Sequence, residues 1–195
     1  MKFNKFILAP VIAAALTVVS AQAAHYEVDA GHSQVGFRIR HLVTKLPGEF
    51  KEFEGKFDFD EKKPQDAKVT FKVKTASINT NNEKRDEHLR GDEFFDAEKH
   101  PELTFVSKKV KPAGKGKYKI EGDLTLHGVT KPVTFDAEFG GIAKDPWGNT
   151  KAGFNATAKI NRKDFGISWN KALDAGGFVI GDEVELNIAV EAAQK

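Results

Sequence analysis

The sequence predicts an all-β protein: an antiparallel barrel of about eight strands, with one short helix between the third and fourth strands. Three observations carry this. Apolar and polar residues alternate one by one over most of the chain, the period of strands with a single buried face. The alternating runs reach roughly nine to eleven residues, longer than strands of sandwiches usually are. Turn signals separate consecutive runs, so sequence neighbours are expected to be spatial neighbours, as in an up-and-down barrel.

In chain order, Tyr26 to Asp29 reads as a short lead-in and Gly31-His32-Ser33 as a turn. Val35, Phe37 and Ile39 alternate with Gly36, Arg38 and Arg40 in the first strand, which Leu46-Pro47-Gly48 is expected to end. Phe53, Phe57 and Phe59 mark the second strand, Lys63-Pro64 a turn, and Val69, Phe71 and Val73 the third. Leu103 and Phe105 open a fourth strand that runs to about Val110, before a hairpin turn at Pro112-Ala113-Gly114-Lys115-Gly116. Tyr118, Ile120, Gly122, Leu124 and Leu126 form the fifth, and the stretch from His127 to Pro132 turns again. Val133, Phe135, Ala137 and Phe139 form the sixth, Asp145-Pro146-Trp147-Gly148 a turn, and Ala152, Phe154, Ala156, Ala158 and Ile160 the seventh. Asn161 to Gly181 is an irregular excursion, and Val184, Leu186, Ile188 and Val190 form the last strand.

The stretch from Asn79 to Phe95 breaks the alternation. Thr80 followed by Glu83 fits a capping box, and Gly91 fits a C-cap. Asp86 and Arg90 are spaced as a favourable pair, and His88 and Arg90 suit the negative end of the helix dipole. The expected helix runs from about Asn81 to Arg90, with Leu89 as its one apolar residue. A helix that short and polar needs outside support. It is expected either as a polar connection packed outside the sheet or as a plug at the barrel mouth presenting Arg85, Asp86, His88 and Arg90.

Lys2 and Lys5, the apolar run from Phe6 to Val19 and the small-x-small triplet Ala21-Gln22-Ala23 read as a secretory signal peptide, residues 1–23, cut after Ala23. That run is too short to span a membrane as a helix. Removing it leaves about 172 residues, 24–195, a size suited to one domain. The protein is expected in the periplasm. The formal charge of +2 falls near zero once both leader lysines are gone, and no basic stripe points to nucleic acid. Cysteine is absent, which excludes disulfides, thiolate zinc sites and thiol nucleophiles. Densely charged outer faces, such as Lys68, Lys72 and Lys74, argue against a transmembrane barrel, which is apolar outside.

Candidates for chemistry are few. The histidines of the mature chain are His25, His32, His41, His88, His100 and His127, and no pair has the H-x-x-x-H spacing of a helical zinc site. His32, His88 and His127 fall at turns or the helix, where a fold can bring them together, but no metal site and no cofactor are expected. Nucleophile-elbow, S-x-x-K and phosphate-loop motifs are missing, so the chain is read as a binding protein. The rival is an enzyme or metal-dependent catalyst at the barrel mouth using His32, His88 or Asp164. A third reading is a filled core that acts through its surface. Sixteen phenylalanines beside one methionine and two tyrosines make the strongest signal. They place Phe37, Phe57, Phe71, Phe105, Leu126, Phe135, Phe154 and Ala156 in a lumen suited to an elongated apolar ligand. Gly122, Ala137, Ala152, Ala156 and Ala158 are the small residues expected to leave room. His32, Arg85, Asp86, His88 and Trp169 are expected as the polar mouth.

Several motifs in fixed order resemble the YceI family of bacterial periplasmic, polyisoprenoid-binding proteins, from about Tyr26 to Val190. They are Asp29-x-x-His32-Ser33, Phe37-x-x-x-His41-Leu42, the strand of Gly55, Arg85-Asp86-x-His88-Leu89-Arg90, Phe94-Phe95, Pro101 with Phe105, Gly122-x-Leu124-Thr125-Leu126-His127-Gly128-Val129-Thr130, Trp147-Gly148, and Asn161-Arg162-x-Asp164-Phe165-Gly166. The resemblance implies a lipocalin-like barrel holding a long isoprenoid-type lipid, a quinone-like amphiphile, for carriage, storage or stress protection. It leaves transient membrane contact and a homodimer open.

Overall fold

The computed structural model describes residues 23–174 and 176–195. The expected signal peptide, apart from Ala23, lies outside the described residues. Eleven strands form one antiparallel sheet: β1 (Ala24–Val28), β2 (Gln34–His41), β3 (Thr44–Phe50), β4 (Phe53–Phe59), β5 (Lys68–Lys74), β6 (Ile78–Asn79), β7 (Glu102–Gly114), β8 (Lys117–Leu126), β9 (Val129–Lys144), β10 (Thr150–Asn161) and β11 (Ile180–Gln194). The ring β1-β4-β5-β7-β8-β9-β10-β11 closes on itself through pairing of β1 with β11. Closure gives every strand of that ring a neighbour on each side along at least part of its length. Helix α1 (Glu83–Arg90) lies between β6 and β7 in sequence.

The eight-stranded barrel emerges because three wall positions are each made of two pieces. β1 and β2 lie end to end along β11, where Val28 is opposite Ala192 and Gln34 opposite Ala189. β3 and β4 continue one another, as do β5 and β6. Two serines repair the breaks. The Ser33 hydroxyl donates to the Glu191 carbonyl (3.1 Å) and accepts from the Glu191 N–H (3.0 Å), replacing a missing rung. The Ser77 hydroxyl accepts from the Glu52 N–H at 3.0 Å. These repairs satisfy backbone groups that a broken ladder would strand. Tyr26, expected in a lead-in, is in fact a core residue on β1, 2 % exposed and stacked on Phe57 at 5.1 Å.

Three prolines expected in turns stand inside strands: Pro47 in β3, Pro112 in β7 and Pro132 in β9. Each occupies a stretch with one partner strand only. Residues 44–48 of β3 pair with β2 alone, the β7 stretch beyond Val106 pairs with β8 alone, and the start of β9 pairs with β8 alone. A residue without an N–H is tolerated at such an edge. The first hairpin turns instead at Leu42 and Val43, with Leu42 at φ +50° and neither glycine nor proline to announce it. The β8–β9 hairpin turns at His127-Gly128, both at positive φ.

The inner faces are apolar and the outer faces carry ion pairs such as Lys56–Glu27, Lys119–Asp136 and Lys159–Glu183. That distribution is the inverse of a transmembrane barrel, and no helix among the described residues is long and apolar enough to cross a membrane. Phe59, Tyr118, Phe139 and Phe154 contact one another edge-on or tilted at 5.0–5.9 Å and pack one end of the barrel. The other end is covered by α1 and the segment after it.

On the outer wall, the Asp29 carboxylate accepts from Lys151 Nζ (2.9 Å) and pairs with His32 Nδ1 (3.0 Å). The lysine first, and His32 second, hold its pKa at about 2, below the ordinary 3.8. A depressed carboxyl stabilises the fold above its unfolded pKa, and the contribution disappears as pH falls through the folded value. Lys151→Met is therefore expected to raise the Asp29 pKa toward 3.8. The variant should be less stable than wild type near neutrality, with the gap closing from about pH 4 down to about pH 2. Carboxyl NMR titration and urea unfolding across that range check both effects.

Candidate functional site

The barrel is hollow. Three cavities run along it, of about 250, 160 and 80 Å³ from the helix-covered end inward. Phe37 and Phe95 line both the mouth cavity and the middle one. Val69, Phe71, Ile120, Ala156 and Ile188 line both the middle and the deep one. The middle and deep walls are apolar side chains almost throughout. All eight residues assigned from sequence to the lumen stand on these walls: Phe37, Phe71, Phe105, Leu126, Phe135 and Ala156 in the middle cavity, Phe57 and Phe154 in the deep one.

Bulky rings surround an open space because glycines on neighbouring strands make room for them. A Cβ on Gly48 would lie 2.3 Å from Phe37 Cζ, one on Gly55 2.6 Å from Phe71 Cζ, and one on Gly122 2.6 Å from Phe105 Cζ. Each ring covers a glycine and lies back against the wall. Gly122, expected to leave space, is thus filled by Phe105. Ala137 and Ala156 do line cavities, whereas Ala152 and Ala158 are packed into the core away from them.

At the mouth, Asn82 caps α1, its side chain accepting from the Arg85 N–H at 3.0 Å. Thr80, expected as the cap, instead holds the helix from beneath. Its N–H (2.9 Å) and hydroxyl both donate to Asp86 Oδ1, and Arg85 donates to its hydroxyl and carbonyl oxygens at 2.7 Å each. Asp86 is 5 % exposed and serves this latch, not the mouth. Asp86 does not pair with Arg90, which reaches Glu83 on the outside at 3.2 Å. Gly91 is the C-cap in an extended conformation (φ −70°), not the left-handed one. Leu89 completes the support by packing against the core.

Of the residues expected at the mouth, Arg85, His88 and Trp169 line its cavity. His88 meets Trp169 edge-on at 5.3 Å and pairs with Glu93 at 2.7 Å. His32 is not there. It sits on the outer wall beside Asp29 and Glu191, because its turn lies in the gap between β1 and β2. Of the residues considered for a catalyst, His88 lies at the mouth paired with Glu93 and His32 lies on the outer wall with Asp29, so these two are not brought together. Sequence reading missed Phe50, Leu46 and Pro47, hidden by the assumed strand break, and His41, Arg162 and Ile167 at the mouth. It also left out Ile120, Leu186 and Ile188, although their alternation already put them on the inner face. Arg162 is buried, donating to the Gly181 (2.9 Å) and Ile167 (2.8 Å) carbonyls, and so fixes the excursion that carries Trp169.

Comparison with known proteins places this barrel. The YceI-like domain model matches residues 26–192. A UPF0312 protein of Photorhabdus laumondii is 46 % identical over 183 residues, 92 % of each chain. This chain belongs to the YceI family. Among solved structures it is similar to Campylobacter jejuni YceI protein, with 38 % identity, a TM-score of 0.67, and coverage of 86 % of this chain and 96 % of the other. Burkholderia cenocepacia BcnA has 26 % identity and a TM-score of 0.74, covering 84 % and 98 %. A polyisoprenoid binding domain from Saccharophagus degradans shares the fold at 14 % identity and a TM-score of 0.66, covering 89 % and 99 %.

In this YceI barrel the contact between Phe37 and Gly48 lends itself to a test. The three atoms nearest to a Cβ at Gly48 are all ring atoms of Phe37, and that ring borders empty lumen. Gly48→Ala is expected to push the ring into the cavity at a cost of about 1 kcal/mol, the low end for overpacking. At Gly122 a Cβ would meet the Val106 carbonyl oxygen at 2.4 Å, and backbone cannot turn aside. Gly122→Ala should therefore destabilise by more than Gly48→Ala, which denaturant midpoints of the two variants check.

Proposed function

We propose that this protein is an exported lipid carrier, without enzymatic activity, that holds one amphiphilic isoprenoid, quinone-like in character, with its tail in the lumen and its head at the mouth. The observation that carries this reading is the row of three cavities, neighbours sharing lining residues, that runs from the mouth to the aromatic end with largely apolar walls. Burying an elongated tail there is favourable by about 25 cal/mol per Å² of apolar surface. The mouth offers Arg85, His88 and Trp169 to a polar head. Support comes from family membership and from the shared fold of a domain described as polyisoprenoid-binding.

The mouth also suits transient contact with a bilayer. Val43 is 99 % exposed and Phe178 61 %, at loop tips beside His41, Val179 and Ile180 of the mouth wall. Lys163 stands over the Phe178 ring at 5.8 Å. Export is proposed from the leader sequence. N-terminal sequencing of protein from a periplasmic extract should begin at Ala24, and a retained Met1 would refute it.

Ala156 borders both the middle and the deep cavity, so an indole there should block the lumen. Ala156→Trp is expected to weaken binding of a fluorescent isoprenoid probe by at least about tenfold, or 1.4 kcal/mol. The melting temperature of the lipid-free protein should hardly change, because the ring enters empty space. A filled core would instead lose about 1–3 kcal/mol to overpacking and bind no probe to begin with.

A further inference from the structure

Beside the mouth, outside the lumen, the fold brings together three groups far apart in sequence. A carboxylate oxygen of Asp96 and one ring nitrogen each of His100 and His127 all lie within 4.8 Å of one another. All three residues are half-buried, and the two imidazole rings cross at 66° with centroids 4.8 Å apart. Asp96 and His100 come from the turn after α1, joined by a hydrogen bond from the His100 N–H to the Asp96 carbonyl (2.8 Å). His127 comes from the β8–β9 hairpin. Gly128 beside it leaves the space the His100 ring occupies: a Cβ there would lie 2.7 Å from His100 Cε1.

We propose that Asp96, His100 and His127 form a binding site for a divalent transition metal, zinc above all. Two imidazoles and a carboxylate are a familiar zinc donor set, with the fourth position left to water. The Phe165 carbonyl lies 3.2 Å from His127 Nδ1 and accepts its proton, so Nε2 keeps the lone pair that a metal needs. Lys99 Nζ occupies Asp96 Oδ2 at 2.9 Å, leaving Oδ1, and the lysine side chain is exposed and free to swing away. Zinc bonds of ~2.0–2.1 Å in a tetrahedron put donors about 3.4 Å apart, so closure takes side-chain rotations of about 1 Å. The metal would tie the turn after α1 to the β8–β9 hairpin, and through Phe165 to the Arg162–Phe165 turn beneath the mouth.

A second cluster of the same composition supplies the contrast. Asp29, His32 and Glu191 also converge, but Lys151 Nζ stands among them, 2.9 Å from Asp29 and 3.3 Å from Glu191. An ammonium group already fills that place.

The test is zinc titration into the chelator-stripped, full mature protein by calorimetry, with elemental analysis after dialysis. One zinc per chain is expected, with a melting temperature that rises on binding. His100→Gln and Asp96→Asn should each weaken binding by at least about tenfold, while His32→Gln leaves it unchanged. Circular dichroism of the metal-free variants verifies that each is folded, and two separate ligand changes guard against one failing to fold. Absence of stoichiometric zinc, or binding that survives both His100→Gln and Asp96→Asn, would overturn the site.

Discussion

The architecture depends on phenylalanine rings lying over glycines. A barrel of eight strands has an interior that ordinary side chains just fill. With Phe37, Phe71 and Phe105 facing inward, a packed core is the default outcome. Gly48, Gly55 and Gly122 change that by letting the rings settle where a Cβ would be. The same apolar groups that stabilise the wall by leaving water thus leave space along the axis, so stability and capacity come from one arrangement. An apolar void forfeits dispersion contacts along its lining, and an apolar tail would restore them.

The polar devices serve the ends and the seams. Ser33 and Ser77 supply rungs where the wall breaks, and Arg162 fixes the loop that carries Trp169. Helix α1, too polar to be held by an apolar face, is fastened through Thr80, Arg85 and Asp86. Among the described residues no buried side-chain nitrogen or oxygen lacks a partner, so these connections are complete and not residual. Arg85 and His88 still line the mouth cavity, while Asp86 is turned to the latch beneath it.

Much of the barrel was legible because alternation reports which face is buried, and that needs only a strand's period. Phe57, Phe71 and Ile160 needed no knowledge of partners. Pro47, Pro112 and Pro132 misled because proline reports the absence of an N–H, and whether that matters depends on a second neighbouring strand that sequence does not reveal. Leu42-Val43 was invisible as a turn, since its left-handed residue carries a branched side chain. The mouth was harder still. Asp86, His32 and Arg90 have the right chemistry, but their direction is set by contacts with Thr80, Asp29 and Glu83. His100 and His127 meet only because a hairpin and a post-helix turn converge.

The central claim is that the hollow is built for one apolar chain. Native mass spectrometry of freshly purified mature protein, followed by extraction and identification of the released lipid, tests it most directly. The account predicts a one-to-one adduct that dissociates as a single isoprenoid-type amphiphile. A protein that shows only its own mass, and that takes up no isoprenoid after incubation with one, would contradict it.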